Sequence, residues 1–592
     1  MMTERVCFFP LAGAFQLKKD IKYGILSFIG NLTKEIRGCD TLDYQYLADL
    51  LFPQKLKTPE EYEAMYPERN LPEGAKVTRM APSPTGFMHL GNLFGALTDE
   101  RLAHQSGGIF YLRIEDTDKK REVEGGVETI LKVFSQFGLN FDEGATLEGD
   151  NGAYGPYRQR QRAAIYQAFA KSLVLRGLAY PCFCTEEELA EMRHQQELNK
   201  ENFGYYGKYA KYRDCPIEEV ERRIKAGESW VLRFRSMGDP SKKVYHTDLI
   251  KGKMEMPEND QDVVILKSDG IPTYHFAHVI DDHLMRTSVV VRGEEWLATL
   301  PIHLQLFDTL GFKRPKYAHT AQLMKMDGGS KRKLSKRKDP ELALDFYHAQ
   351  GYPVPSVMEY LMTLLNSNFE EWRLKNPGVP MDKFPFSTKK MSVSGSLFDI
   401  DKLRDVSKNT IAMMDAKTVY DYVTAWAKDF DQELYPLLVR DEAYAESIFA
   451  IGRGGKKPRK DIAIWSEVRG YMGFFYDELF QPEYEFPSNV TVEDTLAILE
   501  KYQSVYDESK DMNGWFEDVC ALSADIGFAP STKEYKANPD AYRGNPGDTS
   551  MVLRVAMTGR QNAPDLYSVM QIIGRDRVMK RLQQAIEFVK NN

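Results

Sequence analysis

A string of fourteen residues, RMAPSPTGFMHLGN from Arg79 to Asn92, has the residue types that bind phosphate where a strand leads into a helix. The run before it is rich in β-forming residues, and PSPTG has the composition of a turn. A helix that begins there offers unpaired N–H groups and a partial positive charge, which attract phosphate. Gly91 lets a flat ligand approach the backbone, and His89 can donate to a phosphate oxygen. The string therefore predicts a phosphate-binding junction.

A second cationic segment, SKRKLSKRKD at 330–339, is a dense basic loop far along the chain. A basic run taken alone is most often solvated surface. Its position after a second group of predicted strands favours another role, because lysines neutralise the charge that builds on phosphate oxygens during transfer. Lys336 is our first candidate for this role, and Lys333 is the second.

The elements that position these segments follow from hydrophobic periodicity. Four leucines between residues 90 and 102 recur at helical spacing, and Gly107 and Gly108 end that helix. A strand before it and IFYLRIEDTD after it complete a β-α-β unit, which implies a parallel sheet. VVILK, TYHFAHVI and SVVVRGEEWL return to buried-strand and helix character. We interpret them as the second half of the same parallel sheet.

Other segments predict helices. TLDYQYLADLLF and TPEEYEAMY, within residues 41–66, have helical patterns, and RQRAAIYQAFAKSLVLRGLAY is a helix that ends near Gly177. Thr185 with Glu188 fits a capping box. After about residue 400 the chain reads as all-helical, and the last helix carries one apolar stripe from Met579 to Val589.

The composition is that of an ordinary soluble protein with several domains. The chain has 592 residues, 43% apolar and 28% charged, which predicts roughly three to five domains. No apolar run is long enough to span a bilayer, and the N-terminal segment, interrupted by Pro10, is a poor signal or transit peptide. Six cysteines without a regular framework fit a reducing compartment, so we expect a cytoplasmic protein. The net charge of −8 argues against indiscriminate polyanion binding but allows a local basic surface.

The two motifs resemble those of a known family. RMAPSPTGFMHLGN is similar to the ATP-binding signature of glutamyl-tRNA synthetases, a family of class I aminoacyl-tRNA synthetases, and KLSKR, from Lys333 to Arg337, resembles the lysine loop of that class. Asn92 fills the last position of the first motif, and Ser83 stands where glutaminyl relatives have glutamate. The resemblance runs from about residue 76 to the end. It is to the bacterial type, since we find no strand pattern for the β-barrel anticodon domain of archaeal and eukaryotic cytosolic relatives.

The resemblance implies an activity. It is the ATP-dependent joining of L-glutamate to the 3′ end of tRNA-Glu through a glutamyl-adenylate, with release of AMP and pyrophosphate. When a carboxylate attacks the α-phosphorus of ATP, lysines and Mg²⁺ neutralise the developing charge, and losing one such charge raises the barrier by about 2.7–4 kcal/mol. The expected partners are tRNA-Glu, L-glutamate and ATP, without a membrane, and we expect a monomer.

The resemblance also implies roles for single residues. It assigns catalysis to His89, Asn92, Lys333 and Lys336, ATP binding to Gly91, Glu295, Trp296, Leu334, Ser335 and Lys336, and glutamate binding to Arg79, Ala81, Ser83, Glu115, Tyr274, His278 and Arg292. Arg79, Arg292 and Tyr274 would hold the distal carboxylate. Glu115 would pair with the ammonium group, and Ser83 would support the α-carboxylate. Taken singly, Arg292 or Glu115 fits a structural salt bridge equally well.

The resemblance divides the chain into functional segments. They are an N-terminal extension (1–75), the first half of a Rossmann-like catalytic domain (76–165), an inserted domain that binds the acceptor end (166–261), the second catalytic half (262–318), a linking domain with the KLSKR loop (319–408) and an all-α anticodon-binding region (409–592). Arg459, in GRGGKKPRKD, is the candidate for an anticodon contact.

A zinc site is not expected in the inserted domain. Some relatives bind zinc at a Cys-x-Cys pair such as Cys182 and Cys184, with two further ligands. Here Tyr209 and Lys211 occupy those later places, and lysine is not a zinc ligand. We therefore expect reduced cysteines and no structural metal.

Two other functions remain open at this stage. A non-catalytic RNA-binding relative would keep the fold without the chemistry, but it has no reason to retain both motifs. A small paralogue that glutamylates a modified base of tRNA lacks an anticodon domain, which the long helical C-terminal region disfavours. Whether tRNA-Gln is also a substrate does not follow from the sequence.

Overall fold

The computed structural model describes residues 40–591, with side chains from Asp43 onward. The chain divides into two compact units. The first contains the residues up to Phe87, Gly95–Lys132 and Leu139–Ala321, and the second contains Met88–Phe94, Val133–Gly138 and the chain from Gln322 onward. Residues 1–39 of the predicted extension lie outside the described part.

Up to Thr320, the chain contains both strands and helices. In chain order they are α1 (Asp40–Leu51), α2 (Pro59–Met65), β1 (Val77–Met80), α3 (Leu90–His104), β2 (Ile109–Leu112), α4 (Gly126–Gln136), β3 (Glu143–Ala145), β4 (Asp150–Asn151), α5 (Ala163–Leu175), β5 (Ala179–Cys182), α6 (Glu186–Leu198), α7 (Ile217–Lys225), β6 (Val231–Phe234), β7 (Lys243–Asp248), β8 (Gly252–Pro257), β9 (Val264–Leu266), α8 (Tyr274–Leu284), β10 (Val289–Gly293), α9 (Leu300–Leu310) and β11 (Lys316–Thr320).

The predicted β-α-β unit is present. β1 and β2 flank α3 in the chain and pair in parallel, with Arg79 opposite Tyr111. β3 extends this sheet in parallel, and β4 closes that edge in the antiparallel sense. β10 and β11 form another parallel pair, and the Ser288 amide just before β10 donates to the Val77 carbonyl at 3.0 Å. The α/β class with parallel strands is confirmed.

The segment VVILK does not join this sheet, so our interpretation of it was wrong. Val264–Leu266 forms β9, which pairs antiparallel with β6, and β6 pairs antiparallel with β5. A short buried apolar run has no periodicity that distinguishes a strand of a parallel sheet from one of a small antiparallel sheet. The TYHFAHVI segment lies in α8, and SVVVRG leads into β10.

The described part of the N-terminal extension packs on the first unit through the predicted helices α1 and α2. Thr58 caps α2 through a capping box with Glu61, as Thr185 caps α6. The ring of Tyr44 lies against Gly177, where an added Cβ would come within 2.8 Å of it. Gly177 also has a φ of +69°, so both its backbone and its surroundings favour glycine.

The extension also holds the turn between α8 and β10. Arg286 in this turn has a φ of +61°, which costs a residue with a side chain about 1–2 kcal/mol. Its Nε donates to the Tyr66 carbonyl at 3.1 Å and its Nη2 donates to Glu63 at 2.9 Å. Glu63 also contacts His283 on α8. These contacts stabilise a turn that its own backbone disfavours.

The second unit begins with a small sheet and continues as helices. From Leu323 its elements are β12 (Leu323–Asp327), β13 (Ser330–Lys333), α10 (Leu344–Gln350), α11 (Val354–Leu365), α12 (Phe369–Lys375), β14 (Ser396–Leu397), α13 (Ile400–Met413), α14 (Ala416–Phe430), α15 (Tyr435–Arg440), α16 (Glu442–Ala450), α17 (Val468–Met472), α18 (Val492–Val505), α19 (Met512–Asp525), α20 (Thr532–Ala537), α21 (Pro546–Thr558), α22 (Leu566–Ile573) and α23 (Arg575–Asn591).

The all-helical character predicted after about residue 400 is confirmed for the described residues. One apolar core joins these helices from Ile411 to Ile586. The predicted stripe on α23 packs against it, with Leu582 and Ile586 buried and Met579 and Val589 partly buried. Across residues 40–591, no helix combines the length and the apolar content needed to cross a membrane.

His104, in the last turn of α3, links this helix to the segment before β3. Its Nδ1 lies 2.8 Å from Glu100, and its Nε2 lies 2.9 Å from Asp142. Hydrogen bonding to Glu100 raises the pKa of His104 to about 9, with burial opposing this rise and Asp142 adding to it. Because the folded pKa lies above the unfolded value of about 6.5, the stabilisation is complete below that pH and is lost as the pH rises through about 9.

We expect His104→Gln to lower the melting temperature most near about pH 6 and hardly at all near about pH 10, because only the charged imidazole gains from the two carboxylates. Calorimetry of both proteins across this range measures the difference. His194→Gln, at an exposed histidine of α6, is the control. A His104→Gln effect that stays constant with pH would contradict the assignment.

Candidate functional site

A buried carboxylate organises the ends of β1 and β2. Asp282 on α8 lies 3.1 Å from Nε of Arg79 on β1 and 2.8 Å from Nη1 of Arg113, just after β2. Another oxygen of Asp282 lies 2.5 Å from Nδ1 of His278. Burial raises the pKa of this carboxyl, but the charges of Arg113 and Arg79 outweigh burial and hold the pKa of Asp282 well below its usual range. Asp282 is therefore ionised and fixes both guanidinium groups.

Glu115 lies beside the same cluster. Its Oε1 accepts from Nη2 of Arg113 at 3.1 Å, and its backbone amide donates to the Pro82 carbonyl at 3.0 Å, which ties it to the turn after β1. Burial raises the pKa of Glu115, while the charges of Arg113 and Arg79 oppose the rise. A nearly buried acid of this kind is suited to a substrate ammonium group.

Arg292, near the end of β10, is buried between imidazoles. Its Nε donates to Nε2 of His319 at 3.0 Å, and its Nη1 lies 3.0 Å from Nδ1 of His303. Its guanidinium lies 4.8 Å from the centre of the Tyr317 ring. No ion pair among residues 40–591 involves Arg292, whereas Arg79 shares an acid. The two arginines thus differ in how far their charge is compensated.

Tyr274, the first residue of α8, lies among these charged groups. Its ring centre is 4.5 Å from that of Trp296. Burial raises the pKa of Tyr274, the charges of Arg292 and Arg79 oppose the rise, and Glu115 adds to it. The structure thus brings Arg79, Glu115 and Arg292 within electrostatic reach of the Tyr274 phenol.

His278 supports this arrangement from inside the protein. Its Nδ1 faces Asp282, its Nε2 lies 2.9 Å from the Tyr317 hydroxyl, and its ring stacks on Tyr274 with centres 5.6 Å apart. Burial lowers the pKa of His278 to about 4, so the ring is neutral. His278 therefore lies between Asp282 and the Tyr317 hydroxyl, behind Tyr274.

The remaining candidates of the first unit lie on loops. Ala81 is half-buried and Ser83 is exposed in the turn after β1. Glu295 is exposed and Trp296 is half-buried in the 3₁₀ helix after β10. An added Cβ at Gly293 would lie 2.2 Å from Oε2 of Glu295, so glycine lets this carboxylate fold back over the strand end.

His89, Gly91 and Asn92 lie in the second unit. Oδ1 of Asn92 accepts from the His89 amide at 2.9 Å, and the Asn92 amide donates to the His89 carbonyl at 2.8 Å, so the asparagine satisfies an amide at the start of α3. An added Cβ at Gly91 would lie 3.0 Å from the ring of His89. Glycine therefore leaves room for the imidazole at the helix start.

The KLSKR segment, which also lies in the second unit, is only partly a loop. Ser330–Lys333 forms β13, antiparallel to β12, across a turn where Gly328 and Gly329 have positive φ. Leu334 is buried, and its amide donates to the Leu323 carbonyl at 3.0 Å. The prediction of one basic loop missed this hairpin, because a run of charged residues lacks the apolar alternation by which a strand is recognised.

The charges of this segment divide into two groups. Asp339 accepts from Nη1 of Arg332 at 2.6 Å and from the Ser335 amide at 2.8 Å, which closes the turn. Lys333 and Lys336 are exposed, and no ion pair among residues 40–591 involves either. Arg332 is therefore structural here, while the two candidate lysines present their charge to solvent.

Sequence reasoning missed Asp282, Arg113, His303 and His319. A signal existed for the first, since two adjacent aspartates in a buried helix require partners. No comparable signal marks His303, because an isolated histidine on an apolar helix face is usually part of the core.

The cysteine pair of the inserted segment contacts a tyrosine. The thiols of Cys182 and Cys184 donate to the Tyr205 hydroxyl at 3.5 and 3.7 Å. Within residues 40–591, no group of three or more histidine, cysteine or acidic side chains is arranged to hold a metal ion.

Arg459 borders a basic cavity in the second unit. Its Nε lies 2.6 Å from Asp461, and the cavity has a volume of about 430 Å³. Five of the twelve residues that line it are cationic, two are acidic and two are aromatic: Arg404, Lys408, Arg459, Lys460 and Arg560, then Asp461 and Glu467, then Tyr471 and Phe474. Cationic and aromatic side chains together suit a nucleotide.

Comparison with known proteins bears on this site. The catalytic domain of class I tRNA synthetases (E and Q) matches residues 76–405, and an anticodon binding domain matches residues 541–586. The chain is 52% identical to a glutamate–tRNA ligase of Acetivibrio thermocellus, over 92% of this chain and all of that one. It is 53% identical to one of Clostridium perfringens, over 91% of this chain and all of that one.

A solved structure is similar over the same length. It is a glutamate tRNA ligase from Elizabethkingia meningosepticum in complex with its amino acid, with a TM-score of 0.68 and 26% identity. The match covers 87% of this chain and 99% of that one.

We expect Asp282→Asn to lower the free energy of unfolding by about 3–5 kcal/mol, because it leaves two buried guanidinium groups without their shared charge. Urea unfolding followed by circular dichroism measures the loss. The matched control is Asp269→Asn, at an exposed aspartate of the same unit, which should change little. A loss below about 1 kcal/mol would show that the arginines do not depend on this carboxylate.

Proposed function

Because the chain belongs to the family of class I tRNA synthetases for glutamate and glutamine, we propose that it joins L-glutamate to the 3′ end of tRNA-Glu. The reaction uses ATP, passes through a glutamyl-adenylate and releases AMP and pyrophosphate. The two relatives that are 52% and 53% identical to this chain, over 92% and 91% of its length, are glutamate–tRNA ligases. This supports glutamate as the amino acid.

The observation that carries the proposal is that Arg292 forms no ion pair among the described residues and lies, like Glu115, within electrostatic reach of Tyr274. A guanidinium that lacks an acid within the protein binds the carboxylate of a substrate side chain. Arg79 and Tyr274 complete the contact with that carboxylate. Glu115 receives the ammonium group, and the turn at Ala81 and Ser83 supports the α-carboxylate.

Adenylate formation requires positive charge around the triphosphate. His89 and the start of α3, where Asn92 satisfies an amide, bind phosphate, and the exposed Lys333 and Lys336 neutralise the pyrophosphate as it departs. Leu334 and Ser335 hold the lysines at the end of the hairpin, while Gly91, Glu295 and Trp296 border the nucleotide. Mg²⁺ bound with ATP supplies further positive charge.

Transfer to tRNA assigns roles to the remaining segments. We assign 166–261 to the acceptor end, 319–408 to linking and 409–592 to the anticodon, in agreement with the anticodon-domain match at 541–586. The basic cavity beside Arg459 supports an RNA contact there.

The charging reaction tests this function. We expect glutamate, but not glutamine, to be attached to tRNA-Glu, and ATP–pyrophosphate exchange to need tRNA together with glutamate. Lys336→Ala should lower kcat by about 10²–10³-fold, as when one transition-state charge contact is lost. Lys338→Ala, at an exposed lysine of the same turn, is the matched control.

Two results would contradict the proposal. Exchange of equal rate without tRNA would exclude tRNA-dependent activation, and absence of charging by the wild type would favour a non-catalytic RNA-binding relative. The same assay with tRNA-Gln decides whether that tRNA is also glutamylated.

The anticodon assignment has its own test. Arg459→Ala should raise the KM for tRNA about tenfold, the effect of losing about 1.4 kcal/mol of RNA contact, and leave the KM values for ATP and glutamate unchanged. The control is Arg440→Ala, since Arg440 is an exposed arginine of the same unit that is also paired with an acid. Equal effects of both variants would sink the assignment.

A further inference from the structure

Two imidazoles hold the guanidinium of Arg292. Arginine can only donate, so Nδ1 of His303 and Nε2 of His319, each 3.0 Å from the guanidinium, must be the acceptors. His319 donates from Nδ1 to Asp248 at 2.7 Å. These contacts fix which nitrogen of His303 and of His319 carries the proton.

A third ring fixes His303 in the same way. Nε2 of His303 lies 3.0 Å from Nδ1 of His275, so His303 donates to His275 while it accepts from Arg292. The hydrogen bonds therefore run in one direction, from Arg292 through His303 to His275. A protonated His303 would break this chain, because its Nδ1 would no longer accept.

Burial keeps both acceptors neutral. His303 and His319 are fully buried, and burial holds the pKa of His303 well below its usual range and lowers the pKa of His319. The nearby charge of Arg292 acts in the same direction on both rings. The carboxylate nearest in this network, Asp248, is one ring away, behind His319.

A neutral acceptor leaves the positive charge of an arginine available to the substrate, whereas a carboxylate partner neutralises it. Arg79 donates to Asp282, so its charge is shared with an acid. Arg292 is held at two of its nitrogens, but its holders carry no charge. A guanidinium oriented and not neutralised discriminates a carboxylate from an amide of the same shape, because only the carboxylate gains from its charge.

We propose that His303 is a positioning residue that sets the preference for glutamate over glutamine, by orienting Arg292 without neutralising it. The inference rests on the proposed function, in which Arg292 binds the side-chain carboxylate of glutamate. His319 performs the same task on the other side of the guanidinium.

The test compares a neutral and a charged acceptor at one position. His303→Gln keeps a neutral oxygen acceptor, and we expect it to retain the preference for glutamate over glutamine within about threefold. His303→Glu places a carboxylate against Arg292, and we expect the KM for glutamate to rise about 10- to 100-fold, the value of one hydrogen bond to a charged group. Its preference for glutamate should fall by a similar factor, while the KM for ATP stays unchanged.

Gln305→Glu is the matched control. It adds a carboxylate on the same helix, where Gln305 contacts Ser236 and Asn259 and not Arg292. It should leave the KM for glutamate and the preference unchanged. Equal preferences in His303→Glu and the wild type would overturn the proposal, as would equal losses in His303→Gln and His303→Glu.

Arg292→Met separates this inference from the proposed function. If it leaves the KM for glutamate unchanged, the proposed pocket fails. If it raises that KM while His303→Glu does not, only the role of His303 fails.

A spectroscopic measurement on the wild type does not depend on the activity of a variant. Nitrogen NMR of histidine-labelled wild type, with His303→Gln to assign the signal, should show His303 protonated on Nε2 and bare on Nδ1. A proton on Nδ1 would overturn the proposal.

Discussion

Asp282 is the point at which two strands and a helix of the first unit are held together by charge. Arg79 reaches it from β1, Arg113 reaches it from beyond β2, and His278 reaches it from its own helix. A buried guanidinium without a partner is strongly unfavourable, so none of these elements can shift without exposing or orphaning a charge. The placement of Tyr274 and Glu115 depends on this cluster, since one begins the helix and the other contacts Arg113.

Much of the fold could be predicted because its signals are local. Thr185 and Glu188 indicate a capping box within four residues. The apolar stripe on α23 follows from the spacing of residues along one helix. VVILK was misplaced because the partner of a short apolar strand lies far away in the chain and leaves no mark on its sequence. Residues 1–39 fall outside the described part of the chain.

The candidate site could likewise be predicted only in part. Resemblance singled out Arg79 and Arg292 together, but only the structure distinguishes them, one sharing an acid and the other held by neutral rings. That difference depends on residues of four different elements, β7, β10, α9 and β11, among them Asp248 and His303. Likewise the basic run at 330–339 looks uniform in the sequence. In the structure Arg332 forms an ion pair with Asp339, whereas Lys336 forms none among the described residues. Residue types and their spacing identify the candidate residues, and the groups that each residue contacts in the fold decide what it can do.

The turn at Arg286 connects the described part of the N-terminal extension to the elements that carry Asp282 and Arg292. Its left-handed backbone is maintained by Glu63 and Tyr66, while the helix just before it carries Asp282 and the strand just after it carries Arg292. The contacts from Glu63 and Tyr66 therefore stabilise the connection between that helix and that strand. Residues that lie before the catalytic-domain match, which begins at residue 76, thus help to fix the junction between the helix of Asp282 and the strand of Arg292.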